Sequence, residues 1–232
     1  RPEEALKKAL LVKALIKKIV SGETNKSIID VMAQKDFMLH VPYQDFNVFV
    51  RFLQEASIDP RVTEISLTLY RVSKNSKVVN ALINAARNGK KVIVIIELQA
   101  RFDEEANIYW SRKLEEVGAK VIFGFPGLKI HAKLLNIVRK EGRKVMNYAC
   151  VSTGNFHEGN AQVYSDLFLF TANPKITVEI KRVFEFFENS YKNFSYRHLI
   201  KSPLYLRRKI YQLIDNEIRN ANAGKEAYII LK

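Results

Sequence analysis

The sequence predicts an α/β fold: a mixed, largely parallel β-sheet flanked by helices, preceded by a helical N-terminal segment. Three observations carry this prediction. Apolar residues recur at helical spacing through the first stretch of the chain. Strand and helix patterns alternate between residues 63 and 123. Three further strand patterns and two long helical ones follow.

Residues 3–20 carry apolar side chains at helical spacing with lysines between them, and Gly22 ends the helix. Residues 25–32 suit a short second helix. Residues 37–41 are an apolar run before Pro42, as in a strand. Residues 45–56 return to helical spacing, with Phe46, Val48, Phe49, Phe52 and Leu53 on one face. The β-branched alternation of residues 63–70 predicts a strand. Ser76 caps a helix to Arg87, stopped at Asn88-Gly89. Residues 92–96 form a continuous apolar run, the pattern of a strand buried on both faces. A helix over 103–117 ends at Gly118, and 120–123 is the next strand. Strands are then expected at 129–138, 145–152 and 164–170, the first two joined by a turn at Glu141-Gly142. Helices follow, from Pro174 to about residue 191 and over 203–220. A last strand starts at about residue 228.

The chain has 232 residues, 47% of them apolar, enough for a sizeable core. It begins at Arg1 and closes on an apolar run, which suggests a piece of a longer protein. Its formal charge of +14 exceeds what solubility needs and draws anions: nucleic acid, an anionic membrane or a phosphate-rich polymer. One cysteine, Cys150, excludes an internal disulfide, and four histidines with it make a poor ligand set for structural zinc. No apolar run is long enough to cross a bilayer, and no signal peptide is present. The expected location is the cytoplasm, with association at the inner face of the membrane left open.

Candidate chemistry centres on Lys129-Ile-His131-Ala-Lys133. Strand alternation would put Lys129, His131 and Lys133 on one face. Flanking ammonium groups disfavour the imidazolium, which leaves a neutral histidine free to attack an anion that the lysines hold. Ser152-Thr153-Gly154-Asn155 ends the following strand with small, polar residues suited to close approach of an oxyanion. Arg71 and Arg101 follow two adjacent strands at their carboxyl ends, where open α/β sheets bind ligands, and a guanidinium matches phosphate oxygens.

The H-x-K pattern followed by a hairpin and [GS]-[ST]-x-N resembles the active-site motif of the phospholipase D superfamily, in which the histidine becomes phosphorylated. Val138 stands where that motif carries an aspartate, which argues against a phosphodiesterase. Three longer strings are similar to the polyphosphate kinase family: LTLYRVSKNSKVVNALINAARNGKKV at 67–92, IELQARFDEEANIYWSRKLEEVGAKVIFGFPGLKIHAKL at 96–134, and STGNFHEGNAQVYSDLFLFTA at 152–172. The resemblance implies a phospholipase D-like fold and reversible transfer of the ATP terminal phosphate to polyphosphate. It implies His131 as the phosphohistidine nucleophile, assisted by Lys133. Arg71, Arg101, Lys129 and Asn155 would bind ATP and phosphate, with magnesium held through phosphate at Arg71 and Arg101. Tyr164 would help hold the nucleotide. Cys150 replaces a histidine often found there in the family, and Ser152 replaces a glycine.

By the same resemblance, residues 1–35 are the tail of a preceding helical domain and 36–198 a phospholipase D-like catalytic domain. Residues 199–232 begin a second one, cut short here. The missing domains of the polypeptide would complete the site, homo-oligomers are expected at full length, and no specific nucleic-acid partner is implied. Two rival readings are a phospholipase D-type phosphodiesterase, which needs a second H-x-K that this chain lacks, and a non-enzymatic polyanion-binding module.

Overall fold

A computed structural model describes residues 2–24, 26–97, 104–124, 129–192, 194–203 and 205–230. The chain divides into two compact units, residues 1–192 and 193–232. The first opens with helices α1 (Pro2–Ser21) and α2 (Ile28–Gln34), strand β1 (Phe37–Val41) and helix α3 (Asn47–Ile58). An alternating run follows: β2 (Val62–Leu69), α4 (Lys77–Arg87), β3 (Lys91–Ile96), α5 (Glu104–Glu116) and β4 (Lys120–Phe123). The hairpin β5 (Lys133–Glu141) and β6 (Lys144–Ser152), the short helix α6 (Asn160–Val163), β7 (Asp166–Thr171) and helix α7 (Pro174–Glu188) complete it. The second unit holds α8 (Leu206–Asn222).

The local signals act as expected. Ser76 accepts a hydrogen bond from Val79 N and caps α4. Pro174 sits in the first turn of α7, capped by Asn173. Gly142 takes a φ of 61° in the hairpin turn, a conformation that glycine adopts without strain.

The seven strands form one mixed sheet in the order β1-β7-β6-β5-β2-β3-β4. Parallel pairing is confined to β2, β3 and β4. The other neighbours, β2 with β5, β5 with β6, β6 with β7 and β7 with β1, are antiparallel, so the expectation of a largely parallel sheet is corrected. The helical crossovers that enforce parallel pairing end at β4. A tight turn joins β5 to β6, and such a turn can only produce antiparallel neighbours.

One face of the sheet carries the main core. Val92, Val94, Ile96, Ile65, Leu67 and Leu135 meet residues of α1 to α5 there. An aromatic cluster dominates its middle: Phe49 stacks on Phe156 at 4.4 Å and neighbours Phe168 and Phe170. Helix α7 lies against β5 and β6 and buries Ile180 and Phe184.

Three further expectations are revised. Helix α7 stops at Glu188, where Asn189 caps it, short of residue 191. Tyr164 does not open a strand. It is the C-cap of α6, its N–H donating to Asn160 O, and β7 starts at Asp166. The expected strand from residue 228 is absent over residues 228–230, which are exposed and have no sheet partner, and 231–232 lie outside the described residues. An unpaired segment has no ladder to hold it extended.

Candidate active site

The strand ends place the candidate residues together. Lys133 pairs with Ser152, Ser152 pairs with Phe168, and Leu67 pairs with Leu135. The start of β5, the end of β6, the start of β7 and the end of β2 therefore share one end of the sheet. The parallel pair β2–β3 also finishes there, at Leu69 and Ile96.

His131 stands just before β5, not within it. Strand alternation over 129–134 is corrected: Ile130, Lys133 and Leu134 are buried while Ala132 is exposed. Side chains from distant strands take over the backbone groups that a ladder would otherwise pair. Glu97 accepts from Ile130 N at 3.0 Å. The Thr68 hydroxyl donates to Ala132 O at 2.7 Å and accepts from Leu134 N at 2.9 Å. These bonds fix the peptide on both sides of His131, whose own ring is exposed.

Lys133 is the chemical neighbour of His131. It is 6% exposed, its Nζ donates to His131 O at 2.6 Å, and it lies 5.3 Å from the centre of the Tyr70 ring. Tyr70 also meets the His131 ring edge-to-face at 5.4 Å. Burial pulls the Lys133 ammonium down to about 8, with Asp166 opposing the fall. Burial and the Lys133 charge together push the His131 imidazolium below its ordinary value. A neutral, exposed imidazole beside a buried cation is suited to attack an anionic electrophile.

The turn after β6 approaches from the other side. The Thr153 hydroxyl donates to Asp166 at 2.7 Å and accepts from Leu167 N at 3.0 Å. Gly154 lies so close to Asp166 that a Cβ there would collide with its carboxylate and stand 2.7 Å from its Cβ. Asn155 is half-buried, and its Oδ1 is buried with no hydrogen-bond partner among the described residues, an acceptor without a donor. Phe156, stacked on Phe49, pins this turn to the core.

Arg71 follows β2 by two residues and is half-buried. Lys129 is exposed. Tyr164 is 60% exposed, two residues before Asp166. Arg101 lies outside the described residues. Cys150 is buried opposite Leu135 and Phe170, where burial pushes its thiol far up, so it belongs to the core. His157 Nδ1 accepts from the backbone of Gly159 and Asn160 and shapes the turn into α6. Sequence reasoning passed over Tyr70, Thr68, Asp166 and Glu97. Each is polar or aromatic at a strand end, and only Asp166, an acidic residue opening an apolar strand, carries a local signal.

Among the described residues, no group of three or more His, Cys, Asp or Glu could hold a metal ion. Arginine and lysine do not ligate magnesium, so these residues do not make a protein cage for it. Among the described residues, no helix is long and apolar enough to cross a membrane.

The sheet defines a fold class first. The solved structure of Nuc, a phospholipase D family member from Salmonella typhimurium, superposes with a TM-score of 0.50 at 16% identity. That match covers 68% of this chain and 93% of Nuc, a likeness of fold alone. Residues 27–193 match the family described as polyphosphate kinase C-terminal domain 1. The polyphosphate kinase of Vibrio cholerae is 51% identical over 203 residues, covering 88% of this chain and 29% of that protein. That of Escherichia coli is 48% identical, covering 88% and 30%. The crystal structure of polyphosphate kinase from Porphyromonas gingivalis gives a TM-score of 0.78 at 39% identity, covering 88% of this chain and 34% of that one. The chain belongs to the polyphosphate kinase family. It spans about three-tenths of the length of these curated relatives.

Proposed function

We propose that this chain contains the first catalytic domain of a longer polyphosphate kinase, and that the complete enzyme transfers the terminal phosphate of ATP reversibly to polyphosphate through a phosphohistidine at His131. The observation that carries the proposal is the pairing of an exposed imidazole, pushed towards its neutral form, with the buried ammonium of Lys133. In this reading a ring nitrogen of His131 attacks the terminal phosphorus of ATP. The bond to the bridging oxygen breaks and ADP leaves. A terminal oxygen of polyphosphate then attacks the phosphohistidine, the P–N bond breaks, and the chain is one unit longer. Phosphoryl transfer of this kind depends chiefly on positioning and charge stabilisation. Lys133, Lys129, Arg71 and Arg101 would hold phosphate oxygens, Asn155 would face the same anion, and Tyr164 would meet the nucleotide. Arg71 and Arg101 would hold magnesium only through the phosphates, and the ion would supply charge neutralisation there. The domain limits 1–35, 36–198 and 199–232, self-association at full length and a cytoplasmic setting belong to the same proposal.

The test is the complete enzyme with His131→Ala, incubated with ATP labelled in its terminal phosphate. The wild type should retain acid-labile label and the variant none. Label kept by the variant overturns the assignment. The isolated chain should make little or no polyphosphate, because the rest of the site lies in other domains, and robust synthesis by it would contradict the domain reading.

A further inference from the structure

Glu158 makes contacts that the reaction above does not use. Its carboxylate accepts from the Ser73 hydroxyl at 2.7 Å, the Ser76 hydroxyl at 3.3 Å, Lys77 N at 2.7 Å and Val78 N at 3.3 Å. All four donors lie on the loop between β2 and α4 or on the first turn of α4. That loop begins with Tyr70, which touches His131, and Arg71. Helix α5 grips it from elsewhere: Asn107 Nδ2 donates to Tyr70 O at 3.1 Å and to Glu97 O at 3.0 Å, and Trp110 Nε1 donates to Ser73 O at 2.9 Å.

The two grips differ in what they connect. Asn107 and Trp110 tie the loop to a helix already packed in the core. Glu158 ties it to the turn after β6, three residues beyond Asn155 and two beyond Phe156, whose stacking on Phe49 fixes that turn. Two of the segments that carry candidate phosphate ligands thus meet through one carboxylate. We propose that Glu158 is a positioning residue that sets the Arg71 loop against the Asn155 turn, so that both face one phosphate-bearing ligand in register. This rests on Arg71 binding phosphate as in the function proposed above. Glu158 also helps to cap α4, since it accepts from Lys77 N and Val78 N while Ser76 accepts from Val79 N, but capping alone does not account for its bond to the Ser73 hydroxyl out in the loop. Without the tie, α5 still holds the loop, but its placement against the Asn155 turn must be fixed when the anion binds, and that cost falls on binding more than on the chemical step.

The experiment is a double-mutant cycle in the complete polyphosphate kinase with Arg71→Ala, Glu158→Gln and both, reading KM and kcat for ATP together with thermal midpoints. Glu158→Gln keeps the shape and turns an amide towards donors. It should raise KM about tenfold, with kcat changed less. In the Arg71→Ala background it should change KM by less than about twofold, because the positioned group is gone. Ser73→Ala removes the 2.7 Å bond from the loop side and should follow the same pattern more weakly, so it serves if Glu158→Gln does not fold. Effects that multiply, or a lower midpoint with KM unchanged, overturn the positioning role while leaving Arg71 as a ligand. An Arg71→Ala variant with wild-type KM overturns the phosphate reading of Arg71 itself, and the inference with it.

Discussion

Replacing Lys133 by methionine should make this chain more stable at neutral pH. Lys133 is 6% exposed, and burial brings its ammonium from 10.5 down to about 8. At 1.36 kcal/mol per pH unit, holding it charged at pH 7 costs the fold about 3 kcal/mol. Methionine keeps the apolar stem and discards the charge. It also discards the hydrogen bond to His131 O, worth about 1 kcal/mol, and the Tyr70 ring contact, worth about 0.5 kcal/mol. The expected net gain at pH 7 is about 1–2 kcal/mol. Its pH dependence is fixed in sign. The unfolded chain binds this proton up to about 10.5 and the folded one only to about 8, so the penalty is complete below pH 8, shrinks between pH 8 and 10.5, and vanishes above. Urea unfolding followed by the fluorescence of Trp110, the single tryptophan and a core residue, measures both. The gain should be present at pH 7 and lost at pH 11. A variant less stable than wild type at pH 7, or a gain equal at both pH values, refutes the reasoning. Stability given up at one buried amine beside the proposed nucleophile is the usual cost of a functional site.

Three other outcomes follow from the same geometry. Gly154→Ala drives a methyl into Asp166 and should cost about 2 kcal/mol in urea unfolding, and an unchanged midpoint would refute the close approach. In the complete enzyme, Tyr70→Phe should leave phosphohistidine yield near wild type, whereas Tyr70→Leu, which loses the ring contacts to His131 and Lys133, should lower it about tenfold. Equal losses in both variants would move the role from the ring to the hydroxyl. The pH profile of kcat/KM should fall on the acid side below 6.5, where His131 takes up a proton, and on the alkaline side near 8, where Lys133 loses one. Lys133→Arg should push the alkaline limb upward, and a limb left in place would show that Lys133 is not its source.

The parts of the fold set by local chemistry were legible in the sequence. Residues 92–96 and 120–123 stand as β3 and β4 almost as their apolar runs predict, because short runs bounded by glycine turns leave little choice. The hairpin at Gly142 was legible for the same reason. Apart from that hairpin, the antiparallel half of the sheet was not, since nothing local pairs β5 with β2, β6 with β7 or β7 with β1. The site divides in the same way. His131 and Lys133 came from spacing, but the reason given for them, alternation along a strand, fails because Thr68 and Glu97 hold that segment from far along the chain. Glu158 and Asp166 were unread because their partners become neighbours only after the sheet closes.

The central claim is that His131 carries the phosphate. Its most direct test is to quench the complete enzyme during turnover with ATP, digest it under alkaline conditions that preserve phosphohistidine, and locate the modified peptide by mass spectrometry. The account predicts phosphate on the ring of His131, lost on acid treatment and absent when ATP is omitted. Phosphate on another residue, or turnover with no phosphorylated enzyme at any time, would contradict it.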